Sequence, residues 1–146
     1  MIFSSPTVQA VFAEYEARAA ADLDRMKALG PAGYAIRDEF LLPVGADAGR
    51  LLHAMILGAK PRVIVEVGTS YGYSTLFLAD AAKAVGARVI SLEIADYKQA
   101  FAADMMAKAG LSDAVEFRCG DAVALLGGIE SMDFVLLDIW KDLYIP

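Results

Sequence analysis

The stretch from Arg62 to Ser74 reads RVIVEVGTSYGYS, and its reading decides the fold. Val63, Ile64, Val65 and Val67 form an apolar, β-branched run with little alternation, as in a strand covered on both faces. Gly68, Thr69 and Ser70 make a small-residue turn, and Gly72 and Ser74 open a helix. A strand that ends in an acid and a glycine and turns straight into a helix makes a ligand crevice at the carboxyl edge of an α/β sheet.

Working outward, the same alternation repeats. Helices are expected over Thr7–Leu29, Asp47–Leu57, Tyr73–Val85 and Asp96–Ala109, and a short one up to Leu126. Strands are expected over Arg88–Glu93, Val115–Arg118 and Asp133–Asp138. Asp96 is read as an N-cap, and Gly30-Pro31, Gly86 and Gly110 as stops. In the second helix Ala48, Leu51, Leu52, Met55 and Ile56 are assigned to the buried side, and the lone His53 to the surface or to helix packing. Gly33–Pro43 has no clear period and reads as loop with short structure. Strands alternating with helices demand a parallel sheet with right-handed crossovers. The fold class is α/β.

Composition narrows the function. The chain has 146 residues, 58% of them hydrophobic, and a net charge of −6. That is one domain's worth of core. No apolar run reaches the ~18 residues of a membrane span, and no Lys/Arg cluster offers a nucleic-acid surface. A single cysteine, Cys119, excludes an internal disulfide or cysteine-based zinc site. The N-terminus lacks a basic leader region, so the expected compartment is the cytoplasm, without nucleic-acid or membrane partners.

Glu66, Glu93 and Asp138 end strands and Asp121 follows another, so a parallel sheet gathers four acids along one edge. Like charges so placed are costly unless ligand hydroxyls, amines or a cation answer them. Gly68 and Gly72 lack the third glycine of a dinucleotide fingerprint, and Tyr73 and Ser74 suit a carboxylate and an amine better than a diphosphate. Glu93 stands about 20 residues past the turn, where an acid accepts ribose hydroxyls. Asp121 reads equally as an adenine contact and as a helix N-cap. Asp138 suits Mg²⁺, which needs only one or two protein carboxylates.

The blocks VEVGTSYGYS, SLEIADY, FRCGD and DFVLLDIWKDLYIP, in that order, resemble the class I S-adenosylmethionine-dependent methyltransferases. More narrowly, the chain is similar to the cation-dependent O-methyltransferases typified by catechol O-methyltransferase. The resemblance covers roughly Val44 to Pro146. It implies a Rossmann-like sheet ordered 3-2-1-4-5-7-6, of which 3-2-1-4 would be present, the chain ending after its fourth strand. Residues 1–43 would be an N-terminal helix and connecting segment serving as lid or oligomer contact, and residues 44–146 an incomplete cofactor-binding domain.

By the resemblance, Val44, Glu66, Gly68, Ser70, Tyr73 and Ser74 face the methionine part of S-adenosylmethionine and Glu93 holds the ribose. Ile94, Gly120, Asp121, Ala122 and Trp140 surround the adenine. Asp138 is a ligand of Mg²⁺ or another divalent cation that also lies near the cofactor, and Lys141 is the general base. Ile139 stands where catechol O-methyltransferase has a histidine. The implied activity is methyl transfer to a hydroxyl of a small phenolic or catechol-like molecule. A homodimer is expected because the fourth strand would be an uncovered apolar edge, with the Thr7–Leu29 helix as a second contact. Two rival readings are a NAD-type nucleotide-binding oxidoreductase and a non-catalytic cofactor-binding fragment.

Overall fold

A computed structural model describes residues 2–140. Among them, β1 (Val63–Val67), β2 (Arg88–Glu93), β3 (Val115–Cys119) and β4 (Phe134–Leu137) form one sheet in the order β3-β2-β1-β4. Every pairing is parallel, with Val65 opposite Ile90 and Val135. This is the order expected from the sequence, in a Rossmann-like architecture. β1 is central and all five of its residues are buried, which is why its sequence runs apolar without alternation.

The helices are α1 (Pro6–Leu29), α2 (Pro31–Ala35), α3 (Ala46–Ala59), α4 (Tyr73–Val85), α5 (Asp96–Ala109) and α6 (Ala122–Leu126). Ser5 caps α1 by accepting from the Val8 N–H at 3.2 Å, and Pro6 takes the first helical position, where its missing N–H costs nothing. Asp96 is the first residue of α5 rather than its cap; Ala95 holds the cap position without a side-chain bond. The aperiodic Gly33–Pro43 stretch carries the end of α2 and a 3-10 turn at Arg37–Glu39.

Two apolar layers cover the sheet. On one side α3 and α4 bury Ile56, Leu78 and Ala82 against Ile64 and Val89. On the other, Val63, Val65, Val67, Ile90 and Leu92 pack with Ala122, Leu125 and Leu126 of α6. Val8, Val11 and Tyr15 of α1 join a cluster with Tyr71, Tyr73, Phe77 and Met106. The first half of α1 is therefore built into the core. Further along the same helix Leu23 and Leu29 are exposed.

The buried side of α3 agrees with the sequence expectation at Ile56 and at His53, which takes the helix-packing alternative, and differs at Leu51 and Met55. Gly49, His53 and Ile56 face inward, whereas Leu51 and Met55 are 61% and 49% exposed. Gly49 has no Cβ and lets the Phe77 ring approach the helix. His53 is accepted into the core because Asp80 on α4 answers it, Nε2 lying 2.9 Å from Asp80 Oδ2. Asp80 also accepts the Ser4 backbone N–H and its hydroxyl. Burial alone would raise this carboxyl, but the bonds from His53 and Ser4 hold it below the usual range. No described helix is long and apolar enough to cross a membrane.

Candidate functional site

The carboxyl ends of the four strands open into a cleft of about 520 Å³. Its floor is made by the turns after β1, β2, β3 and β4, and its roof by Arg37–Val44 together with Tyr97 and Lys98 of α5.

The turn after β1 is strained into shape. Gly68, Ser70 and Gly72 have φ of 100°, 48° and 86°, a region open to glycine and costly for serine. A Cβ on Gly68 would overlap the backbone carbonyl of Asp138, so glycine is also needed for the ends of β1 and β4 to approach. The N–H groups of Gly68 and Thr69 both donate to the Leu92 carbonyl, at 2.9 and 3.1 Å, tying this turn to the end of β2.

Glu93 completes that tie. Its Oε2 accepts the Ser70 N–H at 2.7 Å, and its Oε1 accepts the N–H groups of Ile94 and Ala95 at 3.0 Å each. The carboxylate thus fixes two loops while lining the cleft. Ile94 beside it is 74% exposed, an apolar surface for a flat ring. Gly120, at φ 146°, donates its N–H to the Glu93 carbonyl at 2.8 Å. Asp121 lines the cleft and caps α6, accepting from Ala124 N–H at 3.0 Å, as the N-cap reading expects.

Glu66 is placed differently from its expectation. It does not line the cleft but lies beneath it with no exposed surface. Its Oε1 accepts from Ser74 Oγ at 2.5 Å, and its Oε2 accepts from Thr75 Oγ1 and Ser91 Oγ at 2.6 Å each. The reason is the β pleat: Glu66 sits within β1, one residue short of the edge, and points into the layer under α4. Burial pushes its carboxyl up, the three hydroxyls pull it down and nearby Asp138 raises it again, leaving it at about 7. Ser74 reaches the cleft wall with its hydroxyl committed to Glu66 below.

Of the other expected residues, Val44, Gly68, Ser70, Tyr73, Ala122, Asp138 and Trp140 border the cleft. Tyr73 donates to Glu16 Oε1 at 2.6 Å, and burial followed by that bond raises its hydroxyl. Burial likewise raises the Asp138 carboxyl. One side of the Trp140 ring faces the Arg37 guanidinium, 4.6 Å from the ring centre. Lys141 lies outside the described residues. No three His, Cys, Asp or Glu side chains gather as a metal site among the described residues; Asp138 offers a single carboxylate.

The sequence reading missed the roof. Tyr71 donates to the Asp38 carbonyl at 3.0 Å, Lys98 Nζ pairs with Asp38 at 3.1 Å, and Asp22 accepts the Leu41 N–H at 2.8 Å. Arg18 lies over both Tyr71 and Phe101. The charged run Arg37-Asp38-Glu39 ahead of Phe40 was the available signal, but a segment held by partners from elsewhere in the chain has no period of its own.

A family model described as a methyltransferase domain matches residues 65–142. The chain is 34% identical over 114 residues to catechol O-methyltransferase B of Danio rerio, covering 74% of this chain and 43% of that protein. It is 31% identical to the Mus musculus catechol O-methyltransferase, covering 77% and 44%. An O-methyltransferase of tomaymycin synthesis from Streptomyces achromogenes, solved with S-adenosylmethionine, superposes with a TM-score of 0.67 at 26% identity over 93% of this chain and 54% of that one. A Bacillus cereus O-methyltransferase with S-adenosylhomocysteine gives 0.64 at 28%, over 85% and 62%. The chain spans about half the length of the curated relatives it matches.

Proposed function

Because the chain belongs to the methyltransferase-domain family, we propose that its cleft binds S-adenosylmethionine and serves methyl transfer to a hydroxyl of a small phenolic molecule. The observation that carries this is Glu93. An acid at the end of β2, fixed by three backbone N–H groups and bordering a cleft with Ile94, is what an adenosine needs: a ribose acceptor beside an apolar shelf. The catechol O-methyltransferase relative and the two O-methyltransferases solved with S-adenosylmethionine or S-adenosylhomocysteine support the same reading.

The assignment comes from the resemblance, and the strand order supports it. Gly120, Asp121, Ala122 and Ile94 would take the adenine, with the outer side of Trp140. Val44, Gly68, Ser70, Tyr73 and Ser74 would take the methionine end over β1, and Glu66 would support it from beneath through Ser74. S-Adenosylmethionine supplies a methyl group bonded to a positive sulfur; that bond breaks as the new C–O bond forms. The chain mostly positions the acceptor, which is worth ~7–11 kcal/mol in oriented reactions. A phenolic hydroxyl has a pKa of ~10, so its proton needs a taker, a role the resemblance gives to Lys141.

Asp138 fits one position of a magnesium ion, whose shell is otherwise filled by water and substrate oxygens. Such an ion would lower the pKa of a bound hydroxyl. We further place the enzyme in the cytoplasm as a homodimer. The exposed, unpaired Cys119 suits a reducing compartment, and Leu51 and Met55 give a second copy an apolar stripe.

Calorimetry tests the reading. S-Adenosylhomocysteine is expected to bind saturably and NAD not at all, with Glu93→Ala weakening the former about tenfold or more. Heat with NAD alone would return the cleft to an oxidoreductase; heat with neither would leave a non-catalytic fragment.

A further inference from the structure

Arg37 is a cation of the cleft that, among the described residues, no acid answers. It lines the roof from the 3-10 turn. Its guanidinium carbon lies 4.6 Å from the Trp140 ring centre and 5.2 Å from that of Tyr34, so two rings hold the fork. Its Nε is buried with no hydrogen-bond partner, and a buried donor left unpaired is a standing cost to the fold.

The basic residues around it are all paired: Arg18 with Asp22, Arg25 with Glu39, Lys98 with Asp38. The two acids following Arg37 in the chain thus turn to other partners. A planar fork, stacked on rings and kept away from protein acids, is suited to a carboxylate held by two parallel N–H bonds.

Its location says whose carboxylate. The sheet order puts Asp121, Glu93, Gly68 and Asp138 in a row along the cleft. Arg37 lies against one face of the Trp140 ring, the face turned away from the one given to the adenine, and Trp140 follows β4. Half-exposed Leu42 lines the same cleft and gives a ring an apolar surface. We propose that Arg37 recognises a carboxylate on the methyl acceptor, so that the substrates are aromatic hydroxy acids. This rests on the cofactor reading above, which fixes the other end of the cleft.

Trp140 is the only tryptophan in the chain, so its fluorescence reports on the site directly. With S-adenosylhomocysteine saturating, 4-hydroxybenzoate and its neutral counterpart 4-hydroxybenzamide are titrated against the chain. The acid is expected to bind about tenfold tighter. Arg37→Met should erase that preference while leaving the amide and S-adenosylhomocysteine affinities within about twofold. Equal affinities for acid and amide in the unsubstituted chain overturn the inference without relying on any variant. So does a preference that survives Arg37→Met. A comparable loss of S-adenosylhomocysteine affinity in Arg37→Met would also overturn it, assigning the arginine to the cofactor's own carboxylate. If S-adenosylhomocysteine fails to bind the unsubstituted chain, the cofactor reading falls and this inference with it.

Discussion

The hydroxyl of Tyr15, on α1, donates a 2.7 Å hydrogen bond to the backbone carbonyl of Tyr71, in the turn after β1. Both groups are buried, and burial raises the Tyr15 hydroxyl well above the usual tyrosine range. The N-terminal helix is thus a strut beneath the ligand turn. Tyr15→Phe keeps the ring and leaves the carbonyl unpaired, which should cost about 1–3 kcal/mol. Urea denaturation reads this; an unchanged midpoint would show that water replaces the hydroxyl.

Gly68→Ala should be more damaging. The residue sits at φ 100°, and its new Cβ would meet backbone, not a side chain that could swing away. Strain and overlap together should cost more than about 2 kcal/mol. S-Adenosylhomocysteine binding should be lost, because Gly68 and Asp138 would be forced apart. A variant that melts normally and binds normally would contradict the close approach.

On α3 a pair of substitutions separates sequence pattern from packing. A Cβ at Gly49 would stand 2.5–2.7 Å from three atoms of the Phe77 ring. Gly49→Ala should therefore cost about 1–3 kcal/mol although alanine is the better helix former. Leu51→Ala, on the exposed side, should stay within about 0.5 kcal/mol. The reverse order of thermal midpoints would put the sequence-assigned face inward after all.

Stability should fall as pH rises from weakly acidic to weakly alkaline. The Glu66 carboxyl is raised from 4.5 to about 7 in the fold, so the folded state favours its protonated form. The stabilisation is complete below 4.5 and is lost as pH climbs through 7, a difference of about 3 kcal/mol. Asp138, also raised by burial, acts in the same sense. Asp80 is lowered and acts oppositely, its contribution disappearing only as pH drops below the ordinary 3.8. Denaturation at pH 5 and pH 8 measures this, and Glu66→Gln should flatten the slope. Equal stability at both values would mean that Glu66 is already ionised at pH 5.

What was legible in the sequence was what one segment dictates for itself. The all-apolar β1 and the glycine stops at Gly86 and Gly110 each state their role locally, and the sheet order came with the resemblance. What was not legible depended on partners far along the chain. His53 belongs inside only because Asp80 meets it, and Gly49 only because Phe77 fills the space. Glu66 was given a ligand contact by the resemblance. Nothing local says that Ser74, Thr75 and Ser91 will enclose it. The roof was invisible for the same reason, since Asp38 and Leu41 are held by Lys98 and Asp22.

Helix α4 has ten consecutive buried residues, Tyr73 through Ala82, so for most of its length it has no outer side. An ordinary helix has a stripe on which substitutions drift without penalty; this one has none until Lys83. In a library of random variants selected for folding, that decade of positions should be the most sharply depleted in the chain. The helix that begins at the ligand turn would be recognisable from tolerance alone, as an unbroken block instead of the usual rhythm of every third or fourth residue.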